Sequence, residues 1–243
     1  MVSATSKLEV DSGASFDQIG SLRDQLADTT AAGTALVGGI TAETVDYSER
    51  TQDATPYVLA AALVMAFVLL TALFRSPVLA AKAILMNLFS ITASLGLTVV
   101  LFQNGAAENV FDFVSPGYLQ TWTPLTMFIM LFGISMDYEV FMVSRIREEH
   151  DRGADTATAV AVGLQRTGSV VTIAALIMIA IFGSFILTSV PEIKQMGFGL
   201  AIAVLLDATI VRAVLVPSFM KLAGRWNWWM PPQLDRVLPQ IRH

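Results

Sequence analysis

The stretch from Thr121 to Val143, TWTPLTMFIMLFGISMDYEVFMV, is apolar for almost its whole length, yet it carries Asp137 followed directly by Tyr138. Polar Gln120 precedes it, and Ser144, Arg145, Arg147, Glu148 and Glu149 follow. A helix needs about 20 apolar residues to cross the hydrocarbon layer, so this run reads as a membrane span. A carboxylate near the middle of such a helix costs about 2.5–3.5 kcal/mol on insertion scales. It therefore has to face protein, find a partner or perform a task, and the usual task is moving protons or ions.

Four further segments satisfy the same criterion: about Pro56–Phe74, Ala80–Phe102, Gly168–Val190 and Gly197–Met220. The composition agrees, with 54% hydrophobic and 14% charged residues and a mean hydropathy of +0.62. The predicted fold is an all-α polytopic bundle of five transmembrane helices, carried on residues 56–220, with a short α/β extracytoplasmic segment at residues 1–55. Within that segment Ser3–Val10 and Thr34–Val37 read as strands, Ser15–Thr29 and Ala42–Thr51 as helices. These pieces make about half of a small α/β unit, and no signal peptide precedes them, so the natural chain is expected to begin further upstream.

Between the third and fourth spans, residues 153–167 read as an amphipathic helix capped by Asp155 or Thr156. Residues 221–243 form an interfacial tail, in which Trp226, Trp228 and Trp229 precede Pro231 and Pro232. Arg75, Lys82, Arg145, Arg147, Arg152, Arg166, Lys221, Arg225, Arg236 and Arg242 fall at one set of span ends, whereas the opposite loops hold only Lys194. The positive-inside rule places the basic side and the C-terminus in the cytoplasm and the N-terminus outside.

Several chemistries are disfavoured. The net charge of −5 argues against a nucleic-acid partner. With 0 cysteines there is no thiolate ligand or nucleophile, and His150 and His243 do not pair into a metal site. No nucleotide-binding loop or nucleophile–base set stands out, so no cofactor and no enzyme activity are expected and any transport draws on an ion gradient.

Asp137 is the first candidate, because desolvation of a carboxylate favours its protonated form and lets it load and release a proton. The plainer alternatives are a carboxylate held by helix-packing hydrogen bonds and one that sits in the interface and snorkels. Gly133, four residues back, lies on the same face and admits a close neighbour. Ser135 points away from that face, and Tyr138 is about 100° around the helix, positioned for a partner helix. Asp207, with Thr209 nearby, is either a second relay position or interhelical glue. On an α-helix Arg212 lies too far around to pair well with Asp207. Lys82 and Glu139 are expected near the inner interface with their charges snorkelling, and Asn87 is expected to hold helices together.

Taken together, FGISMDYEVFMVSRIREE at Phe132–Glu149 resembles the signature of the MmpL (mycobacterial membrane protein large) transporters of the resistance–nodulation–division superfamily. Phe74–Pro77, Gly197–Arg212 and Trp226–Pro231 are similar to other stretches of that family, and Val37-Gly38-Gly39 to the end of its second porter domain. The resemblance implies a plasma-membrane, proton-driven exporter of lipids or amphiphiles from an actinobacterium. It implies that Asp137 and Tyr138 are one of two Asp-Tyr pairs forming a proton relay, and that this chain corresponds to the end of a porter domain plus the last five spans. The second pair has no counterpart in this sequence. The partners implied are the bilayer, the N-terminal transporter half or a second copy of this chain, and an amphiphilic substrate. A non-transporting remnant and a subunit of a split transporter stand as alternatives.

Overall fold

In the computed structural model the described residues are 13–29, 36–111, 113–115 and 117–235. The strand expected over Ser3–Val10 lies outside them. The described part of the other expected strand, Leu36 and Val37, is irregular.

The chain forms α1 (Gly13–Thr29), α2 (Ile40–Phe74), α3 (Pro77–Thr98), α4 (Glu108–Phe111), α5 (Trp122–Asp151), α6 (Thr156–Ser184), α7 (Pro191–Leu206), α8 (Val216–Ala223) and α9 (Pro232–Asp235). A π-helical turn over Val99–Gln103 extends α3, and a longer one over Asp207–Leu215 joins α7 to α8. Among the described residues five helices are long and apolar enough to cross a membrane: Ile40–Phe74, Pro77–Gln103, Trp122–Asp151, Thr156–Leu187 and Pro191–Trp228. The protein is thus an all-α multi-pass membrane bundle.

Hydropathy marks where a helix enters the membrane, but caps and breakers mark where it ends. The helix expected over Ala42–Thr51 and the first span are one 35-residue element that runs through Pro56. The amphipathic helix after the third span likewise continues into the fourth, starting at Asp155, whose carboxylate accepts from the Thr158 backbone N–H at 3.3 Å. At the α2–α3 corner Arg75 takes a left-handed φ of 45°, Ser76 caps α3 by accepting from the Leu79 N–H at 3.2 Å, and Pro77 opens the helix. The expected amphipathic helix Ser15–Thr29 is α1, which packs on α2 through an Arg23–Asp46 pair at 2.7 Å.

α3, α5 and α7 pack on one another at the centre, with α2 against α3 and α5, and α6 against α5 and α7. Phe74, Leu79, Met127, Met142, Ile146, Leu200 and Met220 are fully enclosed. Within lipid the hydrophobic effect does not draw helices together, so close packing over small residues has to do so. At Gly163 an added Cβ would sit 2.5 Å from Ile146, and at Gly199 2.2 Å from Met127. The bare Gly199 backbone also brings its carbonyl within 2.5 Å of Ser94 Oγ, which donates to it from α3.

The basic span ends gather at one end of the bundle. Arg147 donates to the Phe74 carbonyl, Arg166 pairs with Glu149 at 2.5 Å, and Trp228 stacks on His150 at 4.3 Å. Trp228 Nε1 also donates to Thr156 Oγ1 at 3.3 Å, so this ring turns inward while Trp226 and Trp229 stay exposed. At the opposite end Phe102, Phe111, Phe113 and Phe198 cluster. Lys194, the single basic residue of the opposite loops in the sequence reading, is buried there in the first turn of α7 and donates to the Phe111 carbonyl at 2.6 Å.

Candidate functional site

Helical periodicity divides the central part of α5 into two faces. Ser135, Glu139 and Met142 turn into the bundle and are buried. Gly133 and Asp137, one turn apart on another face, are exposed. A Cβ added at Gly133 would meet nothing within 4 Å. Asp137 lies in a groove between α5 and α2 whose other walls are Ala66, Leu69, Leu70, Ala72, Leu73, Met136 and Val140. It is the one carboxylate of that groove, and the residues around it are apolar.

Tyr138 occupies the boundary between the faces and leans inward. Its hydroxyl lies 3.6 Å from Met178 Sδ on α6, a weak hydrogen bond, and its ring lies under the Arg212 guanidinium at 4.7 Å. The two adjacent residues therefore serve different surroundings: Asp137 the open groove, Tyr138 the interior of this bundle.

Behind Tyr138 is a closed polar node. Arg212 donates to Asp207 Oδ2 through Nη2 at 2.6 Å and Nε at 3.0 Å, and both residues are buried. This corrects the expectation that they lie too far apart around the helix. On an α-helix a five-residue step leaves side chains about 140° apart. The Asp207–Leu215 segment is π-helical, with bonds from i to i+5, so residues five apart come into line. Ser135 Oγ lies 2.5 Å from Asn87 Oδ1 and 3.1 Å from Asp207 Oδ2; both are acceptors, so its single proton is shared between them. The node thus ties α3, α5 and α7 together, and Asn87 acts as the interhelical tie expected of it.

Two other expectations change. Lys82 and Glu139 do not snorkel: they form a buried ion pair at 2.6 Å, with side chains 0% and 4% exposed. They pair because α3 and α5 meet at that level, and a partnered charge is far cheaper to bury than a lone one. Thr209 is exposed, and its hydroxyl donates to the Leu205 carbonyl of its own helix at 2.5 Å, away from Asp207.

Ser135 was the residue that sequence reasoning missed, since it was judged only against Asp137. The signal was present in the spacing of Ser135 and Glu139, four apart, which places two polar groups on one buried stripe.

A family model described as the MMPL family matches residues 2–239. The chain is 38% identical over 242 residues to the mycolic acid-containing lipids exporter MmpL11 of Mycolicibacterium smegmatis, covering 99% of this chain and 25% of that protein. It is 38% identical over 241 residues to the heme uptake protein MmpL11 of Mycobacterium tuberculosis, again 99% of this chain and 25% of the relative. With the trehalose monomycolate exporter MmpL3 of Mycobacterium tuberculosis it shares 37% identity over 214 residues, 86% of this chain and 22% of that one. The chain spans about a quarter of the length of the curated relatives it matches.

Proposed function

The chain belongs to the MMPL family, and from that premise we propose that it acts as the C-terminal membrane half of an exporter of lipids or other amphiphiles driven by the proton-motive force. Asp137 is the group that loads and releases the proton. The observation that carries this reading is its position: an ionisable side chain within a span, in an apolar groove that no described helix fills. Facing lipid there costs about 2.5–3.5 kcal/mol, which a covering protein surface offsets by supplying a hydrogen-bond partner. The partner is an N-terminal transporter half or a second copy of this chain, and Gly133 beside Asp137 leaves room for close approach.

At such an interface a proton removes a charge and so changes which helix packing is favoured. A protonation can shift a two-state equilibrium only through that difference between the states. The membrane potential contributes about 2.3 kcal/mol per charge per 100 mV. Tyr138 links the two regions, one residue from Asp137 and in contact with Arg212. The Asp207–Arg212 node supplies the rigid support behind it. The basic end of the bundle faces the cytoplasm and the chain's N-terminal end faces out.

The names of the relatives support an amphiphilic cargo: one is called a mycolic acid-containing lipids exporter, one a trehalose monomycolate exporter and one a heme uptake protein. The test is Asp137→Asn in the intact transporter. Membrane levels are expected to stay at the native value while gradient-driven export of labelled lipid is lost. Export at the native rate would overturn the role.

A further inference from the structure

We propose that the small cavity between α3, α5, α6, α7 and the π-helical segment binds one water molecule, held by Arg212, Asn87 and Ser90, and that this water completes the hydrogen bonding of the Asp207–Arg212 pair beside Tyr138. All five residues line the cavity. Arg212 Nη1, Asn87 Nδ2 and Ser90 Oγ are each buried without a hydrogen-bond partner, on residues only 4%, 2% and 3% exposed. Buried polar atoms are seldom left unpaired, because stripping them of water without replacement costs about 1–3 kcal/mol each by mutational data. Three such atoms around one cavity point to a shared occupant.

The size and the charge select it. The cavity holds about 20 Å³, and a water needs at least about 10–15 Å³ together with two to four polar partners. A lipid or drug-sized ligand is far too large. Asp207 and Arg212 already neutralise each other at 2.6 Å, so neither a cation nor an anion gains from entering. Water fits the donor pattern as well. Its oxygen accepts from Arg212 Nη1 and Asn87 Nδ2, leaving its protons for Ser90 Oγ and the Asp207 carboxylate. The π-helical segment that brings Asp207 into line with Arg212 also places both residues on the wall of this space. The water would complete the hydrogen bonding of the node next to Tyr138.

X-ray radiolytic labelling of the intact transporter in lipid nanodiscs tests this, because a bound interior water generates hydroxyl radicals in place. Tyr138 and Met178 line the cavity, Met127 and Met142 are buried elsewhere, and Met65 faces outward from α2. Oxidation of Tyr138 and Met178 is expected to run several-fold faster than that of Met127, Met142 and Met65. Ala203→Val, which fills the cavity, is expected to remove the excess; if that protein does not fold, Ser90→Val fills it from the α3 side. Rates equal to the controls in the native protein, or an excess that survives filling in a folded variant, would overturn the proposal. Asp137→Asn is expected to leave the labelling unchanged, so the result stands apart from the role given to Asp137.

Discussion

Asp207 and Asp137 are both carboxylates in apolar spans, and the bundle treats them in opposite ways. Asp207 is buried, doubly bonded to Arg212 and close to Ser135. Asp137 is exposed in an apolar groove beside a glycine that faces open space. A buried pair bonded at several points disfavours movement. A carboxylate on an uncovered face responds to whatever covers that face. The contrast teaches that cost of burial alone does not identify a working carboxylate: the number of partners it already has does.

If that contrast holds, the largest effects belong to the closed side. Arg212→Met leaves Asp207 buried without its partner, and Lys82→Met does the same to Glu139; each is expected to cost about 3–5 kcal/mol, read as loss of the folded bundle in denaturant titrations. A change under 1 kcal/mol by the same measurement would mean that these pairs are not enclosed as described. Ser135→Ala removes the donor between Asn87 and Asp207 and is expected to cost about 1–3 kcal/mol.

On the open side Asp137→Asn should change stability by less than about 0.5 kcal/mol, as at other sites without buried partners. A loss comparable to that of Arg212→Met would erase the distinction. The smallest effect lies outside the spans, at Asp155. The Thr158 hydrogen bond holds its carboxyl below its ordinary value, so the cap is at full strength above the ordinary carboxylate range and fades as the pH falls through the lowered value. Asp155→Ala should speed amide exchange only in the first turn of α6 and remove the acid sensitivity of that turn.

The five spans were readable because apolar run length reports membrane thickness directly, and Thr121–Val143 already contained the third. Their true ends were not, since α2 and α6 extend beyond the apolar stretch until a cap or breaker stops them. The in-and-out division of α5 follows from spacing alone. The pairing of Asp207 with Arg212 does not: it needs a π-helical segment, which no local sequence rule marks, although Pro217 just beyond it lacks a backbone donor. Lys82 and Glu139 are 57 positions apart; their meeting depends on how α3 and α5 align, which periodicity within either helix does not reveal.

That the Asp137 face of α5 is an interface with protein and not with lipid can be measured by spin labelling, since this chain contributes 0 cysteines and any outside it are first replaced by serine. A spin label on Gly133→Cys in the intact transporter, with one on Val68→Cys as reference, reports oxygen accessibility within the membrane. Val68 is 57% exposed on α2. Markedly lower oxygen accessibility is expected at position 133 than at 68. Equal accessibility at the two positions would contradict it.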